Sequence, residues 1–358
     1  MIGLRTALVL GLIGGFGGLA TQCTPKKPAP VVIPAAPVKA GPEITVTTTP
    51  VPLDAGNPAR TTVDGFVYAG GLALSSSDTS RLHGLSDLAI GGDNQLTAIS
   101  DDGDLFEARL QLDAAGRLVG LTHTKLQPLK GLDGQPLQGK TLGDAEGLAV
   151  MPNGDRLVSF ERDHRIWLYP VGADGSWGTP RPAPKPATVF PDNEGMEALA
   201  AYPIAGPDAY LVGGEEGEVW VCRLSAACTA LPPQSGPDFT WGLTGFAAFH
   251  GPAIATLHRG FDPIRGWRAV VRFISDPTKP LAQQRTSASL RLEGAIPHDN
   301  FEGVALSQSP AGTTRIYLIS DDNSAAGQRT LLLAFDWTPP PPAPPAPAAP
   351  AKRPARRR

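Results

Sequence analysis

Apolar residues in this chain fall into short runs separated by turns rich in Gly, Asn and Asp, and Gly143–Asp163 (GDAEGLAVMPNGDRLVSFERD) shows the pattern most plainly. It begins with an acidic pair, Asp144 and Glu146, and a hinge at Gly147. An apolar strand is predicted at Leu148–Met151, then a turn at Pro152-Asn153-Gly154-Asp155, then a second strand at Arg156–Phe160 ending on Glu161-Arg162-Asp163. Asn and Gly supply the positive φ that a tight turn needs, so the stretch reads as a β-hairpin. Both charged clusters flank that one hairpin and must lie at the same end of it.

The pattern recurs. Ser86, Glu146, Glu197, Thr244 and Glu302 occupy equivalent positions, with spacings of 60, 51, 47 and 58 residues. Each precedes a second strand that ends on a polar cluster: Asp101-Asp102, Glu161-Arg162-Asp163, Glu215-Glu216, His258-Arg259 and Asp321-Asp322-Asn323. Units of this length, each with three or four short strands and Gly-rich turns, read as blades of an all-β β-propeller. Five units are visible and predict five blades, with six open if a degenerate unit sits in a long loop.

Within the units, Leu105–Leu112 and Leu118–Leu126 are expected as outer strands of the first. Ile166–Val171 is the expected third strand of the second, followed by a Pro-rich surface loop, Trp177–Pro186. The last unit ends at Thr330–Trp337 with only three strands, and Phe66–Leu74 is expected to supply its fourth. Such a closure removes exposed sheet edges. Gly and Pro interrupt every window of helical length.

The termini differ in composition from the rest. Residues 1–23 carry Arg5 and then an uncharged apolar run, Ala7–Ala20, too short for a comfortable span and of signal-peptide length. Cys23 resembles a bacterial lipoprotein cleavage site and is the candidate for lipidation and membrane attachment. Cleavage near Ala20 to a soluble product is the other reading. Either implies export, to the periplasm or to an anchored place in a bacterial envelope. Residues 24–42 form a Pro/Ala-rich tether, and 338–358 a Pro-rich tail ending KRPARRR.

Setting those tails aside changes the charge picture. Nine of the 31 basic residues lie in them and none of the 34 acidic ones, leaving 22 against 34 in residues 43–337, a balance of −12. An acidic domain excludes nucleic acid as the expected partner and suits divalent cations. Of the three cysteines, Cys222 and Cys228 are close enough in sequence for a local disulfide in an oxidising compartment.

In a propeller the first strand of each blade lines the central channel, so residues far apart in sequence converge there. Glu146, Glu197 and Glu302, with Asp101 and Asp321 from second strands, form the expected metal-ligand set. Clustered carboxylates need a cation among them, and a divalent ion with oxygen ligands, Ca²⁺ above others, is the expected one. Glu161 and His258 are the candidate catalytic residues. Arg162 and Arg259 are the candidates for binding a phosphate. His83, His123, His164, His250 and His298 read as loop or packing residues. Neither a G-x-S-x-G elbow nor a P-loop, dinucleotide or zinc-protease pattern occurs.

The EGLA of Glu146–Ala149, the EALA of Glu197–Ala200, the NFEGVAL of Asn300–Leu306 and the closing SDDN before Gln328 and Thr330 resemble the phytase-like proteins labelled "esterase-like activity of phytase". The resemblance covers roughly 64–337 and implies an exported acidic propeller of phosphoesterase type. Ser86 and Thr244 stand where that motif has Glu, so two blades lack the carboxylate. The expected activity is metal-assisted hydrolysis of a phosphorylated small molecule, a phosphomonoester or phosphodiester, by a monomer. A non-catalytic envelope-binding propeller and a lactonase-type metal-dependent hydrolase are the alternatives.

Overall fold

Strand after strand in this chain is apolar at consecutive positions instead of alternating, and the blade arrangement explains why. A computed structural model describes residues 42–308 and 313–339. The expected signal segment, Cys23, nearly all of the tether and nearly all of the tail lie outside them.

Before the first blade come β1 (Thr47–Pro50), β2 (Thr62–Val63) and β3 (Phe66–Ser75). Blade 1 is β4 (Leu85–Ile90), β5 (Gln95–Ser100), β6 (Asp104–Leu112) and β7 (Leu118–Pro128). A one-turn helix, α1 (Lys140–Gly143), leads into blade 2: β8 (Ala145–Val150), β9 (Arg156–Phe160), β10 (Arg165–Tyr169) and β11 (Arg181–Ala183). Blade 3 is β12 (Met196–Ala201), β13 (Ala209–Gly214), β14 (Val219–Arg223) and β15 (Ala226–Leu231). In blade 4 run β16 (Trp241–Ala248), β17 (Ile254–Asp262), β18 (Gly266–Ile274) and β19 (Thr286–Leu292). Blade 5 comprises β20 (Asn300–Gln308), β21 (Thr314–Asp321) and β22 (Leu331–Trp337) and is completed by β3.

Every blade is antiparallel, and the innermost strands β4, β8, β12, β16 and β20 pack side by side around a common axis. The expected five blades are therefore present. The expected closure is present too: β22 pairs with β3, Leu332 opposite Leu72 and Asp336 opposite Val67. Phe66 of β3 stacks on Trp337 at 5.8 Å and lies 6.3 Å from Phe273, which anchors the closing strand in the core. β1 covers the outer edge of β3. The Pro-rich loop over 177–186 holds one short strand that sequence reading did not foresee, β11, whose Ala183 pairs with Ile166.

Five hydrophobic clusters fill the spaces between neighbouring blades. Blade 2 shows how one strand serves two of them. Ile166 and Leu168 pack toward blade 3, whereas Trp167 and Tyr169 pack toward blade 1. Successive side chains leave a strand on opposite faces, and here both faces are dry. Cys222 of β14 and Cys228 of β15 form the expected disulfide. Among the described residues no helix is long and apolar enough to cross a membrane.

Candidate functional site

At each inner strand one residue is extra in the ladder, and it is the same one in every blade. Leu85 and Asp87 face Ser100 and Ile99, so Ser86 bulges. Glu197, Thr244 and Glu302 bulge in the same way between their neighbours. In blade 2 the irregularity covers Glu146 and Gly147. A bulge re-aims its side chain, and all five of these residues, Ser86, Glu146, Glu197, Thr244 and Glu302, are buried.

The bulges also disturb backbone pairing, and Asp87 repairs it. Its carboxylate accepts N–H bonds from Leu88 (2.8 Å) and from Leu148 in blade 2 (2.7 Å), and another from Val304 in blade 5. One aspartate thus ties together backbone of blades 1, 2 and 5. Burial pushes the Asp87 carboxyl well above its ordinary range, against those N–H donors.

Equivalent register places a second ring just after β5, β9 and β13, within β17 and at the end of β21: Asp101, Glu161, Glu215, Arg259 and Asp321. Arg259 of blade 4 bridges the two neighbouring blades, 3 and 5. Its Nη2 lies 3.2 Å from Glu215 and 3.9 Å from Glu197, and its Nε 3.4 Å from Glu302. Burial disfavours its charge, but Glu215, Glu302, Glu197 and Glu146 outweigh that and hold the guanidinium protonated. Arg259, expected to bind substrate, is the buried counter-charge of this half of the funnel, because its side chain is only 7% exposed.

The other half has its own cations. Lys140, at the start of α1, bonds Asp101 and lies 2.8 Å from Asp144 Oδ1. Arg162 donates from Nε to Asp144 Oδ2 at 2.6 Å. Beside them Asp144, Glu146 and Glu161 each bring a carboxylate oxygen within 4.8 Å of the others. In blade 5, Asn300 donates to Glu302 (2.8 Å) and Asp321 (3.3 Å), tying the two carboxylates together.

One ring of five ligands around a single ion, expected from Glu146, Glu197, Glu302, Asp101 and Asp321, does not form. Arg259 takes Glu197 and Glu302, Lys140 takes Asp101, and Asn300 holds Asp321. Glu161, expected as a catalytic residue, instead joins Asp144 and Glu146. His258 leaves the funnel altogether, since it precedes Arg259 on β17 and points to the opposite face. Its Nε2 lies 2.7 Å from Gln234 O, and 3.3 Å from Arg272. Burial, then the Arg272 charge, pushes its pKa down to about 3.

Residues 80–324 match the family model described as phytase-like, esterase-like activity of phytase. The chain belongs to the phytase-like family. No curated protein matches it. Among solved structures, selenomethionine-substituted virginiamycin B lyase from Staphylococcus aureus is similar at 9% identity and a TM-score of 0.40, over 82% of this chain and 100% of that one. That likeness is too distant to bear on chemistry.

In this phytase-like propeller the donor set fits a hard divalent cation. Three carboxylate oxygens within 4.8 Å of one another match the reach of an ion holding ligands at about 2.3–2.6 Å. Sequence reading gave no site role to Lys140, Asp144 or Glu215. Glu215 was accessible by the register that marks Asp101 and Glu161. Lys140 opens the one-turn helix α1, outside the repeated strand pattern.

Proposed function

We propose that this phytase-like propeller is a divalent-metal-assisted phosphoesterase working at the funnel mouth beside blade 2. The observation that carries the reading is the buried trio Asp144, Glu146 and Glu161 with Arg162 against it. Those three carboxylates would hold the ion, and Ca²⁺ suits an all-oxygen donor set. When bound, such an ion supplies Lewis-acid polarisation of a phosphoryl oxygen. Arg162 is 28% exposed and bonds Asp144 through Nε, so its guanidinium is positioned to meet an anionic ester. Lys140 bonds Asp101 and lies against Asp144, which places a positive charge beside the trio.

Export belongs to the same proposal. The N-terminal pattern supports it, as does the Cys222–Cys228 disulfide, which suits an oxidising compartment. The second reading, a non-catalytic binding propeller, rests on the cations themselves. Lys140, Arg162 and Arg259 already offset much of the carboxylate charge without a metal.

Assays on p-nitrophenyl phosphate and bis(p-nitrophenyl) phosphate separate the two. Turnover is expected to vanish with EDTA, to return with Ca²⁺, and to fall about 100-fold or more in Glu161→Gln. Turnover indifferent to chelation overturns the metal-assisted mechanism, and turnover absent with both esters in the presence of Ca²⁺ overturns the enzyme reading.

A further inference from the structure

Blades 5 and 1 meet beside the funnel, and three side chains from distant parts of the chain line up there. Ser324 Oγ lies 3.0 Å from His83 Nδ1. His83 Nε2 lies 3.3 Å from Asp102 Oδ2. We infer that Ser324, His83 and Asp102 form a serine-hydrolase site for carboxylic esters, distinct from the metal trio. Such sites are recognised by geometry and roles, whatever the order of the residues in the chain.

The parts suit their roles. In the neutral tautomer protonated at Nε2, Asp102 accepts from Nε2–H and Nδ1 is the acceptor facing the serine hydroxyl, which is the form a general base needs. Ser324 follows β21 with φ +49°, and Asn323 before it has φ +48°. Left-handed backbone at two successive non-glycine residues is costly. It is held by the Asn323 N–H on Asp321 (2.6 Å) and the Ser324 N–H on Asp322 (3.1 Å). A sharp turn of this sort lifts a serine hydroxyl clear of its strand, as in a nucleophile elbow. His83 and Asp102 keep 15% and 30% of their side chains exposed, so a small substrate can reach them.

Charge selects the substrate class. Asp101, Asp102 and Asp322 all act on His83. Lys140 is bonded to Asp101 and Arg81 to the Asp102 carbonyl, and the carboxylates nearest His83 disfavour an anionic phosphate ester. A neutral or cationic carboxylic ester fits. Ser324 Oγ attacks the carbonyl carbon while its proton passes to Nδ1. As the C–O bond to the alcohol breaks, that proton leaves with the alcohol. Water then attacks the acyl-serine, its proton returns through His83 to Ser324 Oγ, and the carboxylic acid is released.

The test uses the full chain in EDTA, which removes metal-dependent phosphate turnover and leaves this site intact. p-Nitrophenyl acetate and butyrate should be hydrolysed, and a fluorophosphonate probe should form an adduct mapping to Ser324. Ser324→Gly, chosen because glycine takes positive φ without strain, should lose about 100-fold or more of kcat. The same variant should keep Ca²⁺-dependent phosphatase turnover and its melting temperature. Asp102→Asn should lower kcat with little change in KM. A wild-type protein without ester turnover or adduct overturns the inference, as do turnover or labelling that survives in Ser324→Gly.

Discussion

His258 and Arg259 are neighbours on β17, yet one is sealed against Gln234 and Arg272 while the other bridges carboxylates of blades 3 and 5. A burial-depressed histidine makes stability depend on pH. Unfolded, His258 takes up a proton near pH 6.5; folded, it does so at about 3. Between those values the unfolded state binds more protons, so stability falls as pH falls, by up to about 1.4 kcal/mol per pH unit from this group. His258→Gln should therefore show a flatter stability profile than wild type from pH 6.5 down to 5 in denaturant titrations. Parallel profiles would contradict this assignment. At this scale the acidic residues were legible because they recur at one register, whereas their cations were not. Arg259 meets its glutamates and Lys140 meets Asp101 only through folding, and no spacing in the chain announces it; Lys140 with Asp144 is the exception, an i,i+4 pair.

Bulges decide where the acidic side chains point, and glycine decides how near the inner strands come. A Cβ on Gly147 would meet Leu199 Cβ at 2.7 Å and Glu197 O at 2.8 Å. Gly303 is as tight against Asp87 Cα, at 2.8 Å. Gly147→Ala should thus destabilise by about 1–3 kcal/mol, the usual cost of overpacking, read as a lower midpoint in thermal or urea unfolding. An unchanged midpoint would mean that blades 2 and 3 can separate freely. The hairpins were legible from Gly-rich turns and apolar runs, as at Asn153-Gly154, where the Gly154 φ is +93°. The bulges were not, since one extra residue changes no composition. Nor were β1 and β11, whose residues are mostly exposed and carry no apolar pattern.

Across the whole molecule, stability depends on a ring closed by its first strands. Removing residues 1–75 takes away β1, β2 and β3 and bares the edge of β22, a buried apolar strand. Such an edge is a template for pairing with other chains. That truncated protein should run as oligomers or aggregate in size-exclusion chromatography, while one beginning at residue 42 stays monodisperse. Equal behaviour of the two would show that the β3 closure is dispensable. Local chemistry along the chain, its turns, apolar runs and repeat length, was enough to determine strands, blades and the acidic character of the inner ends, because each depends on residues close together. Tertiary structure alone decided which carboxylates share a cation, which trio stands within 4.8 Å and that Ser324 meets His83. Those outcomes turn on ångström distances between blades, and these exist only once the ring has closed.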